Sequence, residues 1–256
     1  MAPGGTQAAP ASQERTLRAR LRAGERLAGA LVRMPSEEVV EMLAVAGLDF
    51  VLIDCEHGPA DIGLLRHHIA LAQVHRMPVL VRIGEREHLL ALRALDQGAQ
   101  GVVAPHVDSV ADADALVRAV HYPPLGARGF ATYPRAGSFG TVTADEHRAN
   151  AAESTLVLAM LESPAAIRDA GAIVGRQGID GYLVGVADLA ASRTPDDPSV
   201  EQLLAEVRRD PSTAGAVRAD LASSTAAAAE SFAGGAAMVV YNLTHLMMEL
   251  FGSLRR

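Results

Sequence analysis

Charged residues stand at the ends of several apolar segments, where they could do chemistry. Asp54 ends one segment and is followed three positions later by His57, while Arg82 and Glu162 end two others. A carboxylate near a histidine can orient the imidazole ring and raise its basicity, which prepares a general base for neutral pH. The spacing predicts an acid/base pair of Asp54 and His57, although a solvated loop histidine is an equally good interpretation.

Two carboxylates could hold a metal ion. Glu162 ends an apolar segment, and Asp188 closely follows the next one. Carboxylate oxygens, together with water and substrate oxygens, are ligands that Mg²⁺ and Mn²⁺ prefer. The spacing leaves a simpler alternative open, in which Glu162 is an acid at a helix start beside Ser163 and Pro164, and Asp188 is a helix cap.

Arg82 is the basic residue at a strand end. A guanidinium there can hold a carboxylate bidentately and neutralise charge that develops on an enolate. The alternative is a salt bridge within the protein, with Asp96 or Glu56 as partner. The single cysteine, Cys55, lies between Asp54 and Glu56. These acidic neighbours should raise the pKa of its thiol and disfavour a nucleophilic role.

The elements that must position these residues alternate between strands and helices. Helical segments between short apolar runs predict a parallel sheet, and eight units favour a single α/β barrel, (β/α)8, over an open doubly wound sheet. Extra helices are predicted over Arg15–Gly24 and Leu243–Leu254. The predicted strands are Leu27–Val32, Asp49–Asp54, Val79–Arg82, Gly101–Pro105, Thr155–Leu161, Gly181–Gly185, Ala214–Arg218 and Met238–Tyr241.

A barrel would bring the ends of these strands together. The carboxyl ends meet at one mouth, where the catalytic groups of this architecture lie. The polar stretch Gly126–Thr143 has no clean period and is expected to be a loop. His67 and His68 fall on a predicted helix and are expected at the surface. Residues 1–13 are small and polar, which predicts a disordered tail before a barrel domain over residues 14–256.

Composition excludes several mechanisms and partners. The 256 residues carry a net charge of −7 and 4% aromatic residues, so neither nucleic acid nor a membrane is an expected partner. All 23 basic residues are arginine, and a chain without lysine can neither form a Schiff base nor attach pyridoxal phosphate (PLP) covalently. One cysteine excludes an intrachain disulfide and fits a cytoplasmic location.

Longer segments of the sequence resemble the HpcH/HpaI aldolases, metal-dependent pyruvate aldolases typified by 4-hydroxy-2-oxoheptanedioate aldolase. The segments are Leu48–Pro59 (LDFVLIDCEHGP), Val79–Arg82 (VLVR), Leu95–Pro105 (LDQGAQGVVAP), Tyr122–Gly129 (YPPLGARG), Leu161–Glu162 and Asp180–Leu189 (DGYLVGVADL). The resemblance implies an enzyme that uses a divalent metal ion, Mg²⁺, Mn²⁺ or Co²⁺, to form the enolate of pyruvate. The enolate adds to an aldehyde, or a 4-hydroxy-2-oxo acid is cleaved in reverse. A homo-oligomer, trimer or hexamer, is implied as well, with the C-terminal helix packed on a neighbouring copy.

The resemblance implies a role for each matching charged residue. Glu162 and Asp188 are implied as the metal ligands. His57 is implied as the acid/base residue, oriented by Asp54. Arg82 is implied to bind the pyruvyl oxygens and to steady the enolate.

The segment after the sixth predicted strand is implied to bind the substrate. Backbone N–H groups from Gly185 to Asp188 would hold the substrate carboxylate, and Ala187 would line the acceptor pocket. Val186 stands where the family usually has proline. The change loosens a rigid turn and restores a backbone N–H group.

Two other functions remain open at this level. Oxaloacetate decarboxylation, or a specialised carbon–carbon bond-forming step of secondary metabolism, would use the same metal and enolate chemistry. The resemblance weakens after Ser192, which leaves open a non-catalytic homologue that binds a small 2-oxo acid.

Overall fold

The chain folds around a closed barrel. The computed structural model describes residues 15–59 and 61–255, and these form eight parallel strands whose order in the barrel is their order in the sequence. Each strand pairs with the next, and the last pairs with the first. The predicted (β/α)8 barrel is therefore confirmed. The tail predicted over residues 1–13 lies outside the described residues, and the domain limits 14–256 stay a prediction.

The strands and helices alternate along the chain. The strands are β1 Leu27–Val32, β2 Phe50–Asp54, β3 Val79–Arg82, β4 Gly101–Ala104, β5 Leu156–Leu161, β6 Gly181–Val184, β7 Val217–Ala222 and β8 Met238–Asn242. The helices are α1 Leu17–Arg22, α2 Glu37–Val45, α3 Ile62–Val74, α4 His88–Gln97, α5 Val110–Val120, α6 Ala144–Ser154, α7 Pro164–Arg168, α8 Ala170–Val174, α9 Val186–Ser192, α10 Val200–Arg209, α11 Thr225–Ala233 and α12 Leu243–Ser253. Short 3₁₀ helices span Arg135–Gly140 and Pro211–Thr213.

Side chains alternate between the inside of the barrel and the layer beneath the helices. Leu52 and Leu80 belong to the inner apolar cluster, whereas Val51 and Val81 belong to the outer one. Because both faces of the sheet are buried, the strands are continuous apolar runs rather than alternating ones. The period of two also decides which residues face the mouth at the strand ends.

Side-chain caps set several helix starts. The Ser163 hydroxyl accepts a hydrogen bond from the N–H of Ala166, and Pro164 occupies the first turn of α7. The Ser109 hydroxyl accepts one from Asp112 at the start of α5. Gly98 ends α4 with a φ of 104°, a conformation that favours glycine.

One strand lies elsewhere than predicted. The seventh strand was expected over Ala214–Arg218 and runs over Val217–Ala222. Its outward positions carry Arg218 and Asp220, whose Nε and Oδ1 atoms are 3.4 Å apart, and Arg208 of α10 lies 3.6 Å from Asp220. These charged side chains pair with each other on the outward side of the sheet, so a strand can carry them. The sequence pattern missed the strand because charged residues at alternate positions do not look like a buried strand.

Several helical segments differ from expectation. Helices α6 and α9 were not predicted, and a 3₁₀ helix lies within the stretch Gly126–Thr143. After β5 the chain forms two short helices, α7 and α8, divided at Asp169. The expectation that His68 lies at the surface is wrong, because its side chain is fully buried beneath α3.

The last helix presents an apolar surface. None of the residues of α12 is buried, and Met248, Leu250 and Phe251 are exposed. The expected contact of this helix with a second copy stays a prediction. Of the helices formed by residues 15–59 and 61–255, none combines the length and the apolar character that crossing a membrane requires.

Candidate active site

Inward-facing residues at the carboxyl end of the barrel form a polar layer. Asp54 follows the inward Leu52 by two positions on β2, and Arg82 follows Leu80 on β3. Glu162 stands two positions beyond the inward Met160 of β5. The strand period therefore turns three of the predicted site residues toward the same mouth.

Asp54 and Arg82 form the central ion pair of this layer. Arg82 donates from Nε to Oδ1 of Asp54 at 2.9 Å and from Nη2 to Oδ2. The exposed fraction is 7% for the Arg82 side chain and zero for Asp54. Burial opposes the charge of Asp54, but the hydrogen bonds and charge of Arg82 lower the pKa of the carboxyl below its usual value. The pair is ionised, and the guanidinium plane is fixed.

Arg82 forms a salt bridge with one of the two carboxylates that the sequence offered as partners. Arg82 Nη1 lies 3.2 Å from Glu56 Oε2, which is the expected salt bridge within the protein. Asp96 is not its partner, because Asp96 binds Arg128 at 2.6 Å. Burial opposes the charge of Arg82, but Asp54 and Glu56 together raise the pKa of the guanidinium. Arg82 is therefore a permanently charged donor at the mouth.

Asp54 holds the His57 loop through the backbone rather than through the ring. Oδ1 of Asp54 accepts hydrogen bonds from the backbone N–H groups of Glu56 and His57, at 3.1 and 3.2 Å. The expectation that Asp54 orients the imidazole is thus corrected. The ring lies 3.9 Å from Glu56 Oε2 and is 60% exposed. A β-carbon at Gly58 would overlap the carbonyl oxygen of Asp54, so glycine permits this tight turn.

Glu162 lies buried opposite a glycine. Its Oε2 accepts a hydrogen bond of 2.7 Å from the backbone N–H of His106. A β-carbon at Gly185 would lie 2.7 Å from Cδ of Glu162 and closer still to Oε1. Glycine at the end of β6 is therefore what makes room for this carboxylate. Asp188 follows in the first turn of α9 and is half-buried.

The donor set fits a hard divalent cation. Burial raises the pKa of Glu162, and the negative charges of Glu56 and Asp188 add to the rise. Carboxylates crowded in this way are stabilised by a cation. In the described part of the chain no three His, Cys, Asp or Glu side chains converge as a metal cluster. Two carboxylates would leave coordination positions for water and substrate, and their role as metal ligands stays a prediction.

The remaining predicted residues lie at the start of α9. Gly185 precedes α9, and Leu189 donates its N–H to the carbonyl of Gly185 at 2.9 Å. The N–H groups of Val186, Ala187 and Asp188 lie in the first turn of α9, before this first helical hydrogen bond. At a helix start such N–H groups have no partner within the helix. Val186 is exposed at this position, so its side chain displaces nothing in the core.

Three polar residues at the mouth were not predicted. Arg33 follows β1, His106 follows β4 and Asn242 ends β8. Arg33 donates from Nε to Asp54 and from Nη1 to the side-chain oxygen of Asn242, both at 2.9 Å. The sequence feature that marks these residues is the one that marked Arg82: a polar residue at or just after the end of an apolar strand. Inspection of the ends of β1, β4 and β8 would have found all three.

The pKa of the Cys55 thiol is raised, as the sequence indicated, but burial is the main cause and Glu87 takes the place of Glu56. Burial, with the charges of Asp54 and Glu87 adding to it, raises the pKa of the thiol to about 12. A thiolate is therefore scarce at neutral pH, which disfavours a nucleophilic role.

Comparison with known proteins identifies the family. A sequence model of the HpcH/HpaI aldolase/citrate lyase family matches residues 29–243. The chain belongs to this family. The match extends well past Ser192, so the carboxyl-terminal third belongs to the same barrel type.

Two relatives and one solved structure place the chain among aldolases. It is 34% identical over 233 residues to 2-keto-3-deoxy-L-rhamnonate aldolase of Salmonella gallinarum, covering 89% of this chain and 86% of the relative. It is 35% identical over 201 residues to hydroxypyruvate/pyruvate aldolase of Agrobacterium fabrum, covering 76% and 74%. The HpcH/HpaI aldolase structure from Desulfitobacterium hafniense DCB-2 has a TM-score of 0.84 at 26% identity, covering 94% and 96%.

Membership of the HpcH/HpaI family decides the class of reaction. The chain is a carbon–carbon lyase of the aldolase type, and the family depends on a divalent metal ion. This answers the open question of a non-catalytic homologue in favour of an enzyme.

Proposed function

We propose that this HpcH/HpaI enzyme forms the enolate of pyruvate and adds it to an aldehyde, or cleaves a 4-hydroxy-2-oxo acid in reverse. The observation that carries the proposal is the shared mouth of the barrel, where Asp54 fixes the guanidinium of Arg82 and the backbone N–H of His106 fixes the buried carboxylate of Glu162. Relatives named for a 2-keto-3-deoxy acid and for hydroxypyruvate or pyruvate support a 2-oxo acid as substrate.

Glu162 and Asp188 are the residues that would hold the metal ion, with Mg²⁺, Mn²⁺ and Co²⁺ as its expected identities. When bound, such an ion supplies Lewis acidity for the oxygens of the 2-oxo acid. The hydrogen bond from His106 and the space left by Gly185 fix the Glu162 carboxylate in place. A prepositioned ligand of this kind needs little rearrangement on binding.

Arg82 would stabilise the enolate oxygen. Its guanidinium is fixed by two hydrogen bonds to Asp54, so it need not reorganise when negative charge develops on the substrate. It would donate an N–H to the ketone oxygen, which carries the negative charge once the methyl proton has left. The N–H groups from Val186 to Asp188 would hold the substrate carboxylate.

His57 would take the methyl proton. Its ring is exposed at the mouth, and its loop is fixed through the two backbone hydrogen bonds to Asp54. The electron pair of the broken C–H bond becomes the carbon–carbon double bond of the enolate. The enolate carbon then attacks the aldehyde carbon, and the new alkoxide oxygen takes the proton back from the acid/base residue.

The test is the exchange of pyruvate methyl protons in D₂O, followed by NMR, because it needs no knowledge of the aldehyde. Exchange is expected with Mg²⁺ or Mn²⁺ and is expected to stop with a chelator. Glu162→Gln should abolish it. Glu153→Gln is the matched control, because Glu153 lies on the exposed surface of α6.

Two outcomes would contradict the proposal. Absence of exchange with every metal would overturn pyruvate as donor, and oxaloacetate decarboxylation would then be the function to measure. Exchange that survives in Glu162→Gln would instead overturn the assigned metal ligand.

A homo-oligomer, trimer or hexamer, and a cytoplasmic location are parts of the same proposal. The exposed apolar residues of α12 support the first. Sedimentation velocity of the full chain, compared with Phe251→Glu, tests it. A monomer in the unmodified protein would overturn it.

A further inference from the structure

The mouth contains a hydrogen-bonded arc that crosses four neighbouring strands. Leu27 and Leu31 of β1 belong to the inner apolar cluster, so Arg33 faces inward two positions further on. It joins Asp54 of β2 on one side and Asn242 of β8 on the other. Arg82 completes the arc on β3.

Arg33 is more than a counter-ion of Asp54. The Asp54 carboxylate already accepts two N–H groups from Arg82 and two from the backbone of its own loop. That number about equals the lone-pair sites of a carboxylate. The guanidinium of Arg33 is therefore not needed to satisfy the hydrogen-bonding capacity of Asp54.

Arg33 also keeps a surface toward the mouth. Its side chain is 28% exposed, compared with zero for Asp54. Among the described residues, Asp54 and Asn242 engage one N–H each from the five that a guanidinium carries. A guanidinium held by two neighbours is rigid, and its planar fork suits a carboxylate or a phosphate.

The location of Arg33 relates it to the second substrate. In the closed order of eight strands β1 lies opposite β5, so Arg33 stands across the mouth from Glu162. An aldehyde that meets a pyruvate enolate held near Glu162 and Asp188 would have room for its far end only on the other side of the mouth, where β8 and β1 lie.

We propose that Arg33, held in place by Asp54 and Asn242, selects aldehydes that carry an anionic group, a carboxylate or a phosphate, at the end remote from the carbonyl. The inference rests on the proposed function and names the class of its acceptor. Arg33 takes no part in the chemical step. The carbon–carbon bond forms at the aldehyde carbon, and the charge that Arg33 binds is unchanged by the reaction.

The experiment compares aldehydes that differ in charge. Initial rates of addition to pyruvate are measured for succinic semialdehyde against butanal, and for glyceraldehyde 3-phosphate against glyceraldehyde. The first pair reports a carboxylate and the second a phosphate. The unmodified enzyme should prefer the anionic member of at least one pair in kcat/KM by about 10- to 100-fold, the range expected for a charged hydrogen bond.

The variant Arg33→Gln should lose this preference. In this variant kcat/KM for the anionic aldehydes should fall at least tenfold further than kcat/KM for the neutral aldehydes or the rate of pyruvate exchange, both of which also depend on Asp54, the partner of Arg33. Arg33→Lys keeps the charge and should retain part of the preference, which keeps the test valid if Arg33→Gln does not fold. Arg86→Gln is the matched control, because Arg86 is 77% exposed on the loop after β3 and should leave the preference unchanged.

The possible results separate this inference from the proposed function. Normal pyruvate exchange without any preference for charged aldehydes would overturn the role of Arg33 alone. A variant Arg33→Gln that slows exchange and both classes of aldehyde equally would also overturn it, since Arg33 would then act only by holding Asp54 and Arg82. Absence of exchange in the unmodified enzyme would overturn the proposed function and this inference with it.

Discussion

Gly185, directly after β6, lies so close to Glu162, directly after β5, that a side chain at position 185 would overlap the carboxylate where it now stands. A β-carbon at Gly185 would lie 2.7 Å from Cδ of Glu162, inside van der Waals contact. The other carboxylate oxygen is held by the backbone N–H of His106. The glycine therefore determines where the predicted metal ligand can stand.

Gly185→Ala should displace the Glu162 carboxylate and weaken metal binding. We expect at least a tenfold loss of Mn²⁺ affinity, about 1.4 kcal/mol, and a parallel fall in pyruvate exchange. Electron paramagnetic resonance of free Mn²⁺ measures the affinity directly. Gly252→Ala on α12 is the control, because its added carbon meets open space. Unchanged Mn²⁺ affinity in Gly185→Ala would contradict the assigned ligand.

Arg82→Lys should slow enolate formation while the charge is kept. An ammonium cannot form the planar fork that Arg82 makes to Asp54, so its position at the mouth is lost. We expect kcat for pyruvate exchange to fall about a hundredfold, with a smaller change in KM. Arg93→Lys on the exposed face of α4 is the control. Full activity in Arg82→Lys would show that charge alone suffices.

Cys55 should react slowly with thiol reagents. Burial, with the charge of Asp54, raises the pKa of the thiol to about 12, so little thiolate exists at pH 8. Alkylation of the folded protein should be on the order of a thousandfold slower than alkylation of the urea-unfolded protein. Mass spectrometry counts the modified thiol. Rapid labelling of the folded protein at pH 8 would disprove this environment.

His68 should make the fold sensitive to acid. Burial lowers the pKa of its ring below the ordinary value of 6.5, and neither ring nitrogen has a hydrogen-bond partner among the described residues. The unfolded chain therefore binds a proton first, and stability falls as the pH drops from 6.5 toward the folded pKa.

The variant His68→Leu should remove this part of the acid sensitivity. The loss of unfolding free energy below pH 6.5 should become smaller by up to about 1.4 kcal/mol per pH unit. Urea denaturation at a series of pH values measures it. His67→Leu, at an exposed neighbouring position, should keep the full sensitivity. Identical pH profiles for the two variants would refute the assignment.

The barrel was predictable because its repeating unit is local. β3 has the predicted limits, since a short apolar run is visible within a few residues. β7 was misplaced because the charges of Arg218 and Asp220 resemble a loop until their partners behind the sheet are known. Local patterns identify apolar strands well and polar strands badly.

The sequence by itself determined which side chains are available for chemistry and that strands alternate with helices. It excluded lysine chemistry, and the period of two placed Asp54, Arg82 and Glu162 at the ends of strands. The tertiary structure alone decided their partners. Arg82 could have bound Asp96 or Glu56, and the register of β2 with β3, which sets Asp54 beside Arg82, gave it Asp54 as well.

Closure of the barrel joined residues that are far apart in the sequence. Arg33 and Asn242 are separated by 209 positions and meet because β8 pairs with β1. His57 contacts Asp54 through the backbone because Gly58 lets the loop turn back on the strand. Hydrogen bonds are directional and short, so their partners depend on where distant strands place each backbone, and a linear pattern of residue types does not contain that information.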